Sequence, residues 1–301
     1  MASLRDIKKN ISSVKSIKQI TYAMKMVAAA RIKRAQSAIL ASRPFAVQMD
    51  RLIGDLYNEL GEEDLAGTGV SELYEERHPG GTLCLLLVTA DKGLCGSFNT
   101  NLLKAAAAWL KENRGRKICA VVVGRKGRDF LHRLKGLDLE IAHELVGVFP
   151  KVGYVHAQLL SDAIMKIYRE RPVESVTFIY NEFKSMMTQN IVTGRLLPLK
   201  RHIMEEERND GKRTSDFFSF EPGKAALLGE LLPRHIGAQL YRTLLESQAA
   251  ELAARMNAME SASKNATELI DGLTLKMNKT RQAMITTELN EIVSGSEALN
   301  N

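Results

Sequence analysis

Cysteine, proline and aromatic side chains are all scarce in this sequence. The cysteines number three, Cys84, Cys95 and Cys119, an odd count with no Cys-x-x-Cys spacing. That argues against a disulfide scaffold and for a reducing compartment. Only seven prolines occur, and aromatics make up 6% of the chain. The composition therefore leans towards helix, through Ala, Lys, Glu, Met and Leu. No apolar run approaches the roughly 20 residues that a membrane-spanning helix needs. The N-terminus is polar and basic, so no secretory signal is expected. Any membrane association has to run through a partner or through surface charge. The six histidines are scattered, with no His-x-x-x-His spacing, so no metal site is expected.

What is present divides the 301 residues into three textures. Hydrophobic content of 45% allows a substantial core. The net charge is +7, yet Met1 to Arg51 alone carries eleven Lys and Arg against two Asp, a local +9. The remainder is slightly acidic. A basic segment suits an acidic partner or is simply a solvated helix face, and composition leaves both open.

The first segment, 1–60, repeats apolar or small residues at Ile7, Ile11, Val14, Ile17, Thr21, Met24, Ala28 and Ile32. Steps of three and four make one stripe along a helix. A bend is expected near Pro44. Residues 61–79, rich in Gly and Glu, read as a mobile linker. The middle segment, 80–200, contains the buried-strand runs TLCLLLVTA and KICAVVVG, and further strands in ESVTFIYNEF and NIVTGRLLPL. Helical stretches at Asn99–Asn113, Lys126–Lys135 and Tyr154–Arg171 alternate with them. The pattern predicts an α/β, Rossmann-like domain on a mainly parallel sheet. A second linker is placed at 201–220. The last segment, 221–301, carries a heptad pattern at Leu245, Ala249, Leu252, Met256, Met259, Ser263, Ala266, Ile270, Leu273, Met277, Thr280 and Met284. That is the signature of a coiled coil, here with small and flexible seam residues. The fold class expected is an α/β domain inserted into a long antiparallel coiled coil of the N- and C-terminal helices. A homodimeric coiled coil is the competing arrangement.

The stretch TADKGLCGSFN, Thr89–Asn99, follows the most apolar strand and gathers an acid, a base, a thiol and two glycines. It lacks the Gly-x-x-x-x-Gly-Lys-Ser/Thr and Gly-x-Gly-x-x-Gly forms that hold phosphates. No histidine stands near Cys95 at a known catalytic spacing. Gly93 and Gly96 read as turn glycines, and Ser97 or Asn99 as a helix cap. RKGR, Arg125–Arg128, reads as a basic loop and a solvated turn rather than a phosphate site.

SIKQITYAMKMVAAARIKRAQ, TADKGLCGSFN and RQAMITTELNEIVSGSEAL together resemble the gamma subunits of bacterial F-type ATP synthases. The resemblance spans the chain and keeps the family's order and spacing. One departure is Ser296, where the family's C-terminal signature continues Gly-Ala. The cysteine-containing insertion of chloroplast members is missing, and no transit peptide is seen before Ser3, so a bacterial member is expected.

The resemblance implies a non-enzymatic rotor shaft with no cofactor, coupling rotation of the membrane c-ring to the catalytic alpha and beta subunits. It implies partners in that head, in the epsilon subunit and in the c-ring. It implies no nucleic acid, no nucleotide bound directly, and a peripheral position on the cytoplasmic face of the bacterial inner membrane. Head contacts carried over are Met24 and Lys25 in AMKMVA, and Arg281, Gln282 and Thr286 in RQAMIT. Met24 is equally readable as a seam residue. Lys92, Gly93, Leu94, Cys95 and Gly96 are carried over as a loop docking on the ring or epsilon. Two other readings stand beside this one. One is a basic coiled-coil protein associated with nucleic acid, although aromatics are not interleaved with the cations. The other is a small-molecule enzyme with a helical dimerisation arm.

Overall fold

The computed structural model describes residues 3–60, 69–75, 77–149, 151–199 and 223–299, with side chains through 296. The expected linker at 201–220 lies outside the described residues, as do 61–68 of the other. Two compact units are present: Met1–Ala29 with Arg255–Asn301, and Ala30–Ala254.

The elements are α1 (Leu4–Glu59), α2 (Ser71–Tyr74), β1 (Thr82–Val88), α3 (Phe98–Glu112), β2 (Ile118–Val123), α4 (Arg125–Leu131), β3 (Leu139–Leu145), α5 (Tyr154–Glu170), β4 (Val173–Phe183), β5 (Gln189–Leu197) and α6 (Lys224–Leu299). Ser3 opens α1 with a capping box, its Oγ accepting from Asp6 N–H at 3.2 Å while Asp6 accepts from Ser3 N–H at 3.2 Å. Pro44 lies inside α1 without ending it. The carbonyl it leaves without a donor, four residues back, belongs to exposed Leu40, which water can serve.

In the first unit α1 and α6 run antiparallel within one chain. Lys25 Nζ meets Glu260 Oε1 at 2.8 Å, while Leu4, Arg5 and Lys8 lie beside Met277 and Arg281. On α6, Met259 and Ala266 are buried, and Ser263, Ile270, Leu273, Met277 and Thr280 are half-buried. The stripe holds to Thr280 and then stops: every residue from Arg281 to Ser296 is exposed, including the expected seam residue Met284. The reason is the partner's length, since α1 begins at Leu4. On α1 the seam follows Ile7, Ile11, Val14, Lys18, Thr21, Lys25 and Ala28. Ile17, expected there, is 51% exposed. The half-buried Lys18 and Lys25 take the heptad places, laying their aliphatic stems along the seam with the charge outward.

The second unit is built on a five-stranded sheet of order β3-β2-β1-β4-β5. β1 to β4 are parallel and β5 returns antiparallel to β4. Every residue of β1 and β2 is buried, as continuous apolar runs flanked on both sides require. One face packs against α5, the second half of α1 and the start of α6, through Met49, Ile53, Leu56, Leu160, Ile164, Leu232 and Leu240. The other packs against α3 and α4 through Phe98, Leu102, Ala106, Leu110 and Leu131.

Two expectations change. β3, LEIAHEL, is absent from the sequence reading, because an edge strand alternates polar and apolar residues where central strands are continuous. The described part of the 61–79 stretch is packed, with Val70 and Leu73 buried, the Tyr57 and Tyr74 rings 4.3 Å apart, and Leu199 N–H donating to Leu73 O at 2.6 Å. Three apolar residues at one-turn spacing suffice to anchor it.

Glu174 at the start of β4 ties two loops, accepting from Arg116 Nη2 at 2.7 Å and from Gly80 N–H at 2.7 Å. The Arg116 bond, then the Gly80 bond, hold its carboxyl below the usual range. A depressed folded-state pKa gives stability that is present above the ordinary Glu value and lost as pH falls through the folded one. The melting-temperature advantage of wild type over Glu174→Gln should therefore shrink between about pH 6 and pH 3. Both side chains are partly exposed, so less than about 1 kcal/mol is at stake. A pH-independent difference would refute the assignment.

Candidate functional site

Three strand ends converge at the carboxyl edge of the sheet, and the loop Thr89–Asn99 is fixed by them. Thr89 is buried. Its N–H donates to Val123 O at 2.8 Å, its Oγ1 donates to the same carbonyl at 3.0 Å, and Oγ1 accepts from Gly127 N–H at 2.8 Å. Gly124 presses on it closely: a Cβ there would lie 2.1 Å from Thr89 O. The Asp91 carboxylate accepts from Arg125 N–H at 3.2 Å and from Gly147 N–H at 3.0 Å, joining the loops after β1, β2 and β3. RKGR is therefore the first turn of α4 rather than a loop, and the Gly127 N–H is used internally.

Asn99 does not cap α3, as expected of it; it staples the loop. Its Oδ1 accepts from Ala90 N–H at 3.0 Å, and its Nδ2 donates to Lys92 O at 3.3 Å and to Cys95 Sγ at 3.2 Å. Ser97 holds the N-cap position without a side-chain cap bond. Gly96 has φ +57, but the other left-handed residue is Leu94, at φ +64, not Gly93. A left-handed leucine costs on the order of 1 kcal/mol. Lys92, Gly93, Leu94 and Gly96 are exposed, Leu94 by 68%, while Cys95 is buried. The thiol is thus placed to hold the loop, not to attack a substrate. Asn99→Ala should lower stability by about 1–3 kcal/mol, because it leaves the buried Ala90 N–H without its acceptor. Amide exchange accelerated over 90–97 and unchanged elsewhere would check this; uniform acceleration would count against it.

Cys84 and Cys119 face each other across β1 and β2. Their mutual hydrogen bond and full burial push the Cys84 thiol well up. All three cysteines are free and buried. Among the described residues, no three His, Cys, Asp or Glu side chains cluster as a metal site would need.

The first unit presents a second surface. Met24 and Lys25 are half-buried; Arg281, Gln282 and Thr286 are exposed, with Thr286 Oγ1 donating back to Gln282 O at 2.9 Å. Arg281, Arg5 and Lys8 share a hollow of about 340 Å³ with Leu4 and Met277. Three cations in one hollow favour an anionic side chain on whatever covers it. Glu260, the partner of Lys25, was missed by sequence reading, and the heptad register that sets it opposite Lys25 was the available signal. The two surfaces lie in separate units: the residues expected to contact the head are on the helical pair, and those expected to dock lie on the sheet edge.

A family model described as ATP synthase matches residues 3–299. An ATP synthase gamma chain of Elusimicrobium minutum is 47% identical over 307 residues, covering 100% of both chains. One from Geotalea uraniireducens is 43% identical over 302 residues, covering 99% of each. Among solved structures, the central stalk and c-ring of Tetrahymena thermophila mitochondrial ATP synthase contains a chain 28% identical, with a TM-score of 0.59, covering 81% of this chain and 99% of that one. A chain in the OSCP, F1 and c-ring structure of Euglena gracilis mitochondrial ATP synthase is 21% identical, with a TM-score of 0.65, and shares the fold over 98% of this chain and 94% of its own.

Proposed function

This chain belongs to the family of ATP synthase gamma chains, and from that membership we propose that it is the central shaft of an F-type ATP synthase. It couples rotation of the membrane c-ring to the conformational cycle of the alpha and beta head, for ATP synthesis or hydrolysis. It is not itself the catalyst. Neither the nucleic-acid nor the enzyme reading gains support. The observation that carries the reading is the antiparallel α1–α6 pair. Its seam mixes Ile, Val and Leu with Ala, Ser, Thr, Met and lysine stems, and the α6 end projects past α1 with an exposed surface. A helical pair is stiff along its axis, as a shaft requires.

The reading divides the chain into a helix at 1–60, a docking domain at 80–200 and a helix at 221–301, with linkers at 61–79 and 201–220. Met24, Lys25, Arg281, Gln282 and Thr286 meet the head subunits. Exposed Lys92, Gly93, Leu94 and Gly96, held from beneath by Cys95, meet the ring or epsilon. The strained, exposed Leu94 tip supports that role, since an apolar side chain held outward gains from being covered. No helix among the described residues is long and apolar enough to cross a membrane. As a gamma chain of this family the protein is peripheral to the membrane. Its place is the cytoplasmic face of a bacterial inner membrane. Native mass spectrometry of the complex recovered with a tag on this chain tests the whole. One copy bound to the alpha and beta subunits of a hexameric head, with ATPase activity, is expected. A homodimer alone would overturn it.

A further inference from the structure

We propose that the crevice where the strand order of the sheet reverses is a binding site for a small, neutral, flat ligand that carries a hydrogen-bond donor and an acceptor side by side, a primary carboxamide or a lactam-type heterocycle. The inference goes beyond the shaft reading and does not depend on it.

Topology supplies the place. From β1 the chain moves outward to β2 and β3, then returns to put β4 on the other side of β1. Such a reversal leaves a crevice outside the carboxyl ends of the two strands, where open α/β sheets bind their ligands. A cavity of about 380 Å³ opens there, lined by Ser97, Phe98 and Asn101 of the α3 start and by Asn181, Gln189, Asn190 and Ile191 of the β4–β5 hairpin. That size is within the ordinary range of small-molecule sites.

The second observation is Asn181. It is only 3% exposed and points to the same face of β4 as Ile179, which packs under α3. Among the described residues its side-chain amide has no hydrogen-bond partner, and what it faces is the cavity. The amide N and O are not sealed from solvent; they meet water in the cavity, which a ligand's amide edge would replace.

The lining decides the chemistry. No charged side chain is among the residues that form it. Asn101, Asn181, Asn190 and the Ser97 hydroxyl each both donate and accept, while the Gln189 amide, donating to Ser185 O and Met186 O, offers its oxygen. Phe98 and Ile191 add apolar wall. An anion would find the start of α3 but no cation, while a neutral amide edge would find paired donors and acceptors.

Saturation-transfer NMR on the full-length protein, with whatever partners it retains on purification, tests this with nicotinamide and nicotinate as probes. The two share a ring and differ in carboxamide against carboxylate. Nicotinamide should bind with a Kd of about 1–10 mM, as its size allows, and nicotinate at least about tenfold more weakly. Asn181→Leu should weaken nicotinamide at least about tenfold with little change in melting temperature, since the amide it removes is served by solvent in the cavity. Asn190→Ala, at the half-buried rim, should weaken binding severalfold with no thermal change; it carries the test should Asn181→Leu fail to fold. No saturation by nicotinamide, equal binding of nicotinate, or binding unchanged in Asn190→Ala would overturn the proposal.

Discussion

Gly124→Ala should lower the melting temperature of the sheet domain by roughly 10 °C, the largest effect expected from adding one methyl group to this protein. Gly124 has φ +89 and ψ 145, a region open in practice only to glycine. The added Cβ would also fall 2.1 Å from Thr89 O and 2.9 Å from Thr89 Oγ1, so β1 and β2 would have to part at their carboxyl ends. Strain and displacement together cost about 3–5 kcal/mol. Gly115→Ala is the control: its φ is +90, but a Cβ there meets nothing within 4 Å. It should cost only about 1–2 kcal/mol. Equal losses in the two variants would show that the contact with Thr89 does not matter. The clash also predicts where damage appears, because Thr89 secures the loop whose tip is Leu94.

The second large effect is on coupling rather than stability. Replacing Lys25, Arg31, Lys33 and Arg34 together by alanine should reduce ATP-driven ion pumping severalfold while the head continues to hydrolyse ATP. Arg31, Lys33 and Arg34 are exposed, and Lys25 reaches Glu260 from a half-buried stem. Exposed charge contacts are worth about 1 kcal/mol or less each. Four together would hold the shaft in register against an acidic bearing, yet each is weak enough to release as it turns. Raising the salt concentration should imitate the substitution in wild type and have little further effect on the variant. Pumping unchanged by all four replacements would end the electrostatic account. Lys25 alone should contribute least, since the Glu260 pair already engages its charge.

The long helices and the central strands were legible in the sequence because their patterns are sustained. Leu245 to Thr280 repeats its heptad without a break, and TLCLLLV and ICAVVV are buried on both faces. What escaped was written in polar residues. A hydrophobic pattern chooses Ile17, whereas the packed helix chooses Lys18, because a four-carbon stem covers small seam residues as well as an isoleucine does. β3 hides behind its two glutamates and a histidine. Met284 fits the heptad and is exposed because its partner helix has run out, which no local pattern reports. At the site, the motif was found but the roles inside it were not. Thr89 and Asp91 act as fasteners that no local pattern reports, since their partners Gly127 and Gly147 are brought near only by the sheet, and Asn99, read as a helix cap, fastens the loop to its own Ala90.

The bare end of α6 has a consequence for the cell. Met284, Ile285, Leu289, Ile292 and Val293 stand uncovered on a single helix turned towards water. A copy released from the ribosome before its neighbours exist therefore displays a greasy strip to chaperones, proteases and other orphans. Surplus copies are therefore open to degradation until something sheathes that strip. The offset between two helices thus leaves the unassembled chain exposed in a way the assembled one is not.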